Sequence, residues 1–226
     1  MDNMSSQSRL DRLQSLEGIQ LTERTYNLAI GITLMAGILL DLMISFFLTD
    51  VIVRMSPILM MVLYLVGSFG FTFLIYYSKN PAISFLGFMG LAAAMGMLLT
   101  SLLTLYDVAA VQTAFLLTGL VFVVMVVLST AFPQLFLSIG RGLGVALLIT
   151  IVVEAVAALI FHSSLKWTDY VVVLIFCGYT GYDWARAQQF PKTLDNAIDS
   201  AADIYVDVVN LFIRILRIVA QSKQND

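Results

Sequence analysis

The stretch SAADIYVDVVNLFIRILRIVA, residues 200–220, has the length of a membrane-spanning helix but carries a line of polar side chains. At about 100° per residue, the aspartates at positions 195, 199, 203 and 207 advance by only about 40° each and occupy one sector of a helix. The same sector also receives Asn210, Arg214 and Arg217. Because such a stripe should face protein or water and not lipid, it predicts a helix at the centre of a bundle.

Six hydrophobic stretches precede this helix, each with roughly the 20 apolar residues that cross a bilayer. They cover residues 26–49, 57–77, 81–106, 109–132, 143–161 and 170–182 with its flanks. Short breaks, several of them marked by proline, make consecutive helices antiparallel neighbours. Since 60% of the 226 residues are apolar and only 12% are charged, lipid must solvate much of the chain.

These patterns predict an all-α membrane protein, a seven-transmembrane-helix bundle with the C-terminal helix at its centre. In this prediction, residues 1–25 form a cytoplasmic N-terminal segment and residues 26–220 form a single transmembrane domain. Residues 221–226 form a short C-terminal tail. The first apolar stretch lacks a small-residue cleavage site, so we interpret it as a retained span and not as a signal peptide.

Lysine and arginine predict the orientation. With the N-terminus inside, the outer loops hold only Arg54 and Lys166, and the inner segments hold Arg9, Arg12, Arg24, Lys79, Arg141, Arg186 and Lys192. The positive-inside rule then places the N-terminus in the cytoplasm, and we expect a bacterial plasma membrane. Seven spans put the basic residues near the C-terminus on the far side, whereas six spans and a re-entrant tail would return them inside.

Several functional classes are disfavoured by composition. A formal charge of −3 argues against nucleic-acid binding, which needs a basic face. Cys177 is the only cysteine and His162 the only histidine, so an internal disulfide and paired-histidine metal sites are excluded. We expect no enzymatic activity and no resident cofactor.

Ionisable side chains at membrane depth are costly, which makes each of them a functional candidate. The strongest are Asp183, at the end of the sixth stretch, and Asp207, about two turns into the seventh helix. Two carboxylates brought together where water is scarce tend to share one proton, and they also offer oxygen ligands to Ca²⁺. Alternatively, Asp183 pairs with Arg186 three positions later and Asp207 bonds a neighbouring helix.

Other acidic and basic residues are further candidates for functional or structural roles. Asp41 and Glu154 could be proton or cation groups in a path, or could lie near a membrane face, and Asp203 could line an entrance. We expect Asp195 and Asp199 to be solvated at the start of the last helix, where a helix dipole favours negative charge. We expect Arg214 and Arg217 to be structural counter-charges or snorkelling groups and not ligands.

Small residues at helical spacing predict close helix packing. Gly140 and Gly144 have G-xxx-G spacing, and Ala92 with Gly96 forms another small pair four residues apart. Residues of this size let the backbones of two helices approach closely within a membrane.

The last two helices resemble the C-terminal signature of the Bax inhibitor-1 family. Members carry a Tyr-Asp at the end of the sixth helix, here Tyr182-Asp183, and a Leu-Tyr-Leu-Asp-x-x-Asn-Leu-Phe-like run in the last helix. Here that run is IYVDVVNLF, residues 204–212, and the two aspartates lie 24 positions apart, as expected in bacterial members. The residue-level match is strong over about the last 50 residues, and the rest matches in hydropathy.

The resemblance implies seven helices around a central C-terminal helix and a pH-sensitive calcium leak gated by an aspartate pair, here Asp183 and Asp207. Bacterial members place basic residues after the second helix, one of which can hold an aspartate in the closed state. This chain offers Lys79 there, with Arg186 as a substitute, and residues 57–77 lack the expected acidic residue. The alternative function is a non-conducting regulator that binds a membrane protease or another membrane partner.

Overall fold

The computed structural model describes residues 19–160 and 165–224, and this part of the chain contains only α-helices. In order, they are α1 (Glu23–Phe47), α2 (Thr49–Val53), α3 (Pro57–Tyr77), α4 (Pro81–Leu103), α5 (Val108–Ala131), α6 (Pro133–Ile160), α7 (Lys166–Ala187) and α8 (Leu194–Gln224). The all-α prediction is confirmed. Most of the predicted N-terminal segment lies outside the described residues, as do Arg9, Arg12 and His162.

Five helices, α1, α3, α4, α5 and α6, are long and apolar enough to cross a membrane. Charged and polar residues at both ends of α7 and along one face of α8 lower their hydropathy, so these two helices do not qualify by length and composition alone. The sixth and seventh spans therefore stay predictions at this stage. Helix α3 exposes large apolar side chains such as Val66, Phe69 and Phe73, as expected of a surface solvated by lipid.

The described helices divide into two compact units. The first unit contains α1 to α4 and α8 up to Tyr205, and the second contains α5 to α7 and α8 from Val206 onward. Helix α8 is continuous through this boundary and belongs to both units.

The first unit is built on α4, which packs against α1, α2 and α3. Buried Ile44, Ile52 and Met60 bring α1, α2 and the start of α3 into one apolar cluster, against which Ala93 and Met97 of α4 pack. Proline begins both α3 and α4, and the residues before them, Ser56 and Asn80, accept hydrogen bonds from the first turn. The turns predicted at these prolines are confirmed.

In the second unit, α7 packs against α5 and α6. At the ends of α5 and α7, Trp184 Nε1 donates to Thr130 Oγ1 (3.0 Å), and Ser129 Oγ donates to the carbonyl of Gly181. Helices α5 and α7 therefore run parallel, because their C-terminal ends lie together.

The G-xxx-G prediction is confirmed in the second unit, where Gly140 and Gly144 of α6 face aromatic residues of α7. A Cβ atom at Gly140 would lie 2.3 Å from the ring of Tyr182, and one at Gly144 would lie 3.3 Å from the hydroxyl of Tyr179. The Tyr182 ring therefore occupies the space that any side chain at position 140 would need.

Two helices begin earlier than the hydrophobic stretches indicated. Helix α6 begins at Pro133, ten residues before the predicted span, because Gln134 and Arg141 lower the hydropathy of a segment that is still helical. Helix α8 begins at Leu194, where the Thr193 hydroxyl accepts a hydrogen bond from the backbone N–H of Asn196 (3.2 Å) and caps the first turn. Hydropathy identifies the part of a helix that lipid can solvate, whereas capping decides where the helix starts.

Substituting alanine at Gly140 and Gly142 will separate packing from helix propensity. A methyl group at position 140 would overlap the Tyr182 ring, whereas position 142, two residues along the same helix, has open space around it. We expect Gly140→Ala to cost about 1–3 kcal/mol through overpacking and Gly142→Ala to gain up to about 1 kcal/mol, the difference in helix propensity between alanine and glycine. Thermal unfolding of the detergent-purified variants measures this, and equal transition temperatures would contradict the close packing.

Candidate functional site

The predicted aspartate pair lies in the second unit. Asp183 is in the last two turns of α7 with its side chain 12% exposed, and Asp207 of α8 is 5% exposed. Both carboxylates act electrostatically on the hydroxyl of Tyr179, one turn before Asp183 on α7. The structure therefore brings both aspartates into the region of one tyrosine side chain, away from bulk water.

The basic residues proposed as latches occupy different surroundings. The guanidinium Nη1 of Arg186 lies 3.8 Å from Asp183 Oδ1, and the guanidinium carbon lies 5.9 Å from the centre of the Tyr182 ring. Arg186 is thus a charged neighbour of Asp183, as in the alternative interpretation of that aspartate. Lys79 is exposed in the connection between α3 and α4, in the first unit.

A second set of charges in the second unit centres on Arg214 of α8. Its Nη1 donates to Glu154 Oε1 (2.6 Å) and to Asp169 Oδ1 (2.8 Å), and its Nη2 donates to Glu154 Oε2 (2.9 Å). Thr168 Oγ1 donates to Glu154 Oε1 (2.7 Å) as well. These contacts, which we call the arginine cluster, connect α6, α7 and α8. The counter-charge role predicted for Arg214 is confirmed.

Asp169 is a member of the arginine cluster that the sequence did not reveal. It was assigned to the loop before the sixth span, but the structure places it in the first turn of α7, 5% exposed. An acidic residue at a helix start is common, because the helix dipole favours it there. In the sequence, only the basic residues of the α8 stripe indicated that buried acidic side chains would have to pair with them.

Acidic residues of the stripe in the first unit accept hydrogen bonds from hydroxyl groups. Tyr76 of α3 donates to Asp203 Oδ1 (2.5 Å), and Ser84 of α4 donates to Asp195 Oδ1 (2.6 Å). Asp41 Oδ2 of α1 accepts from the hydroxyl of Tyr205 (2.7 Å). Hydrogen bonds between acidic side chains on one helix and hydroxyl groups on its neighbours therefore hold the N-terminal half of α8 within the first unit.

The prediction that Asp199 is solvated is wrong, because its side chain is only 1% exposed. The neighbouring residues Ala197 and Ala201 are fully buried and small enough to let α1 approach closely. A hydrogen bond joins Tyr26 Oη of α1 to Ser200 Oγ (3.2 Å) and covers this part of α8. Asp195 is only partly exposed, so the helix start is protein-covered and not open to solvent.

The connection between α7 and α8 is held by the segment before α1. The backbone N–H of Leu21 donates to the carbonyl of Lys192 (2.6 Å), and the Lys192 ammonium group lies 4.6 Å from the centre of the Tyr26 ring. Burial lowers the pKa of Lys192, and the charge of Glu23 acts in the opposite direction.

Metal binding by these acids stays a prediction. Within residues 19–160 and 165–224, histidine, cysteine and acidic side chains form no group of three or more that could hold a metal ion. Asp183 and Asp207 can supply carboxylate oxygens to Ca²⁺, but a calcium ion there would need further ligands from backbone or water.

Comparison with known proteins extends the resemblance along the chain. The family described as "Inhibitor of apoptosis-promoting Bax1" matches residues 19–224. The Golgi anti-apoptotic protein of Vaccinia virus (strain Lister) is 26% identical over 172 residues, which cover 75% of this chain and 71% of the viral protein. The inner membrane protein YbhL of Escherichia coli (strain K12) is 26% identical over 141 residues, 58% of this chain and 60% of YbhL. No solved structure matches at a significant level.

Removing the charge of Arg214 will test the arginine cluster. Arg214→Met leaves the partly buried acids Glu154 and Asp169 without their guanidinium, so we expect a loss of about 3 kcal/mol in stability. The matched control is Lys223→Met, since Lys223 and Asp107 form an exposed pair worth at most about 1 kcal/mol. Thermal unfolding of the purified variants checks this. Adding Glu154→Gln and Asp169→Asn to Arg214→Met should restore part of the loss, and no difference between the two single variants would argue against the cluster.

Proposed function

This chain belongs to the family of inhibitors of apoptosis-promoting Bax1 and is an integral membrane protein, and we propose that it is a pH-sensitive calcium leak channel gated by Asp183 and Asp207. The family resemblance implies this activity, and the burial of both carboxylates supports it. The relation to an inner membrane protein of Escherichia coli and the distribution of basic residues support a bacterial plasma membrane with a cytoplasmic N-terminus.

The observation that carries the proposal is that two poorly solvated carboxylates lie within electrostatic range of one tyrosine, Tyr179. Two carboxylates in such surroundings cannot both be ionised cheaply, so one proton is shared between them. When the proton leaves, the two negative charges repel, and α7 and α8 shift against each other. The separated carboxylates then offer oxygen ligands to a passing Ca²⁺ ion.

Arg186 is the better supported latch. Its guanidinium is already 3.8 Å from Asp183, so a small rotation of the side chain would close an ion pair. In the closed state this cation would draw Asp183 away from Asp207. Lys79 is exposed in the connection between α3 and α4 of the first unit.

Contacts within the second unit support seven spans, with α8 as the last. The C-terminal ends of α5 and α7 lie together, whereas Lys223 near the end of α8 lies 3.5 Å from Asp107 at the start of α5. Helix α7 therefore covers the depth of α5, a helix apolar enough to cross the membrane, and α8 returns along that depth.

Calcium flux into proteoliposomes will test the leak. We expect the flux of the unmodified protein to rise between about pH 6 and pH 8, as a shared proton is lost. Asp207→Asn and Asp183→Asn each remove one member of the pair, so their flux should no longer change with pH. Asp50→Asn, which removes the same charge at an exposed position in α2, should behave like the unmodified protein.

Equal flux for the unmodified protein and Asp207→Asn across that pH range would end the proposal. A complete absence of flux, together with a co-purifying membrane protein, would favour the alternative, a non-conducting regulator that binds a membrane protease or another membrane partner. The viral relative is named for an anti-apoptotic, regulatory role, and this name favours that alternative.

Single-cysteine labelling will test the number of spans. On a Cys177→Ala background, Lys223→Cys and Lys79→Cys are exposed to a membrane-impermeant maleimide applied outside intact cells. Seven spans predict labelling at position 223 but not at position 79, with both labelled after permeabilisation. Protection of position 223 in intact cells would instead indicate a re-entrant tail.

A further inference from the structure

Asp41 is a buried acid within the first unit that the proposed calcium gate does not use. It lies in α1, a helix apolar enough to cross the membrane, and its side chain is 7% exposed. An ionised carboxylate in such a place is stable only when cations or several donors compensate its charge. The contacts of its two carboxyl oxygens therefore indicate whether this site favours the ionised or the protonated form of Asp41.

Only one hydrogen bond reaches the Asp41 carboxyl among the described residues. The Tyr205 hydroxyl donates to Oδ2 (2.7 Å), whereas Oδ1 is buried and has no hydrogen-bond partner there. Tyr205 is itself fully buried, and its ring meets that of Phe88 edge to face at 5.4 Å. A Cβ atom at Gly37 would lie 3.2 Å from the tyrosine ring, so packing fixes the position of this donor.

Helix α4 covers the second oxygen. An ideal Cβ at Gly96 would lie 2.6 Å from Asp41 Oδ1, so only glycine allows this approach. The Gly96 carbonyl accepts a hydrogen bond from Thr100 Oγ1 (2.7 Å). The buried small residues Ala92 and Gly96 are the pair that the sequence predicted to pack closely, and Gly96 packs against the carboxyl group of Asp41.

The described side chains around Asp41 do not neutralise a negative charge on its carboxyl group. Helix α4 contains no Asp, Glu, Lys, Arg or His, and α8 presents Tyr205, a neutral donor. Asp203, two residues before Tyr205 on α8, accepts from Tyr76 instead, and Asp50 of the adjoining α2 is exposed. The residues described here supply no cation to the carboxyl, and a metal ion would find neither further acidic ligands nor space beside Gly96.

We propose that Asp41, held by Tyr205 and covered by Gly96, is a proton-binding site separate from the Asp183 and Asp207 pair. The carboxyl carries its proton while α1 and α4 are in contact. It releases that proton to water only when the contact at Gly96 loosens, leaving a carboxylate that prevents the two helices from closing. The site does not depend on a calcium leak, because its chemistry follows from contacts within the first unit.

Infrared difference spectroscopy of the full chain in lipid vesicles tests this site. We expect the unmodified protein at neutral pH to show the carbonyl band of a protonated carboxylic acid, with the shift on exchange into D₂O that such a group gives. Asp41→Asn keeps the size of the side chain and an acceptor for Tyr205, and should remove this band. The matched control is Asp203→Asn, which removes another carboxyl bonded to a tyrosine and should leave the band in place.

Tyr205→Phe provides a second test that does not remove the acid. Loss of the hydroxyl removes the one hydrogen bond that the described residues make to the carboxyl, so the acid band should persist and move to higher frequency. The proposal would be overturned if the acid band were unchanged in Asp41→Asn. It would also be overturned if this variant lost a carboxylate band and not the acid band, because Asp41 would then be ionised in the unmodified protein. If Asp41→Asn fails to fold, an unshifted spectrum of Tyr205→Phe overturns it equally. Neither measurement involves calcium, so the leak and the proton site can fail separately.

Discussion

A polar group placed inside a bilayer needs a partner, because lipid supplies neither hydrogen bonds nor counter-charges. Helix α8 meets this constraint at Asp195, Asp203 and Arg214 with side chains from other helices. In the first unit its acids accept from hydroxyl groups, and in the second unit Arg214 binds Glu154 and Asp169. The positions of the charged side chains on α8 therefore restrict which helices can pack against it.

Small residues let the helices come close enough for polar side chains to be buried between them. Gly96 admits the carboxyl of Asp41, and Gly140 admits the ring of Tyr182 beside Asp183. In both places a methyl group would occupy the space of a residue next to a functional candidate. Close packing and polar chemistry thus depend on each other here, since an acid can be kept from water only where the neighbouring backbone approaches closely.

The buried acids fall into chemically different groups. Glu154 and Asp169 are neutralised by a guanidinium and favour a fixed structure, in which their charge is permanently compensated. Asp41 has one neutral donor and no cation among the described residues, so a proton is the cation that suits it best. Asp183 and Asp207 both act electrostatically on Tyr179, and they form the pair for which we propose a shared proton.

Much of this architecture could be predicted from sequence. The apolar stretches and the prolines at positions 57 and 81 predicted where most helices lie, and the signature around Asp183 and Asp207 predicted the family. The starts of α6 and α8 were missed because hydropathy measures solvation by lipid, whereas Pro133 and Thr193 set the helix ends through backbone geometry and capping.

The sequence by itself determined the helical class, the membrane environment, the family and the stripe of charges on α8. Only the tertiary structure decided which of those charges is compensated and by what. Asp199 became buried, Asp169 joined Arg214, and Asp41 met Tyr205 across 164 positions of the chain. The physical reason is that solvation and pairing of a charge depend on residues brought close by packing, and periodicity along one helix carries no information about them.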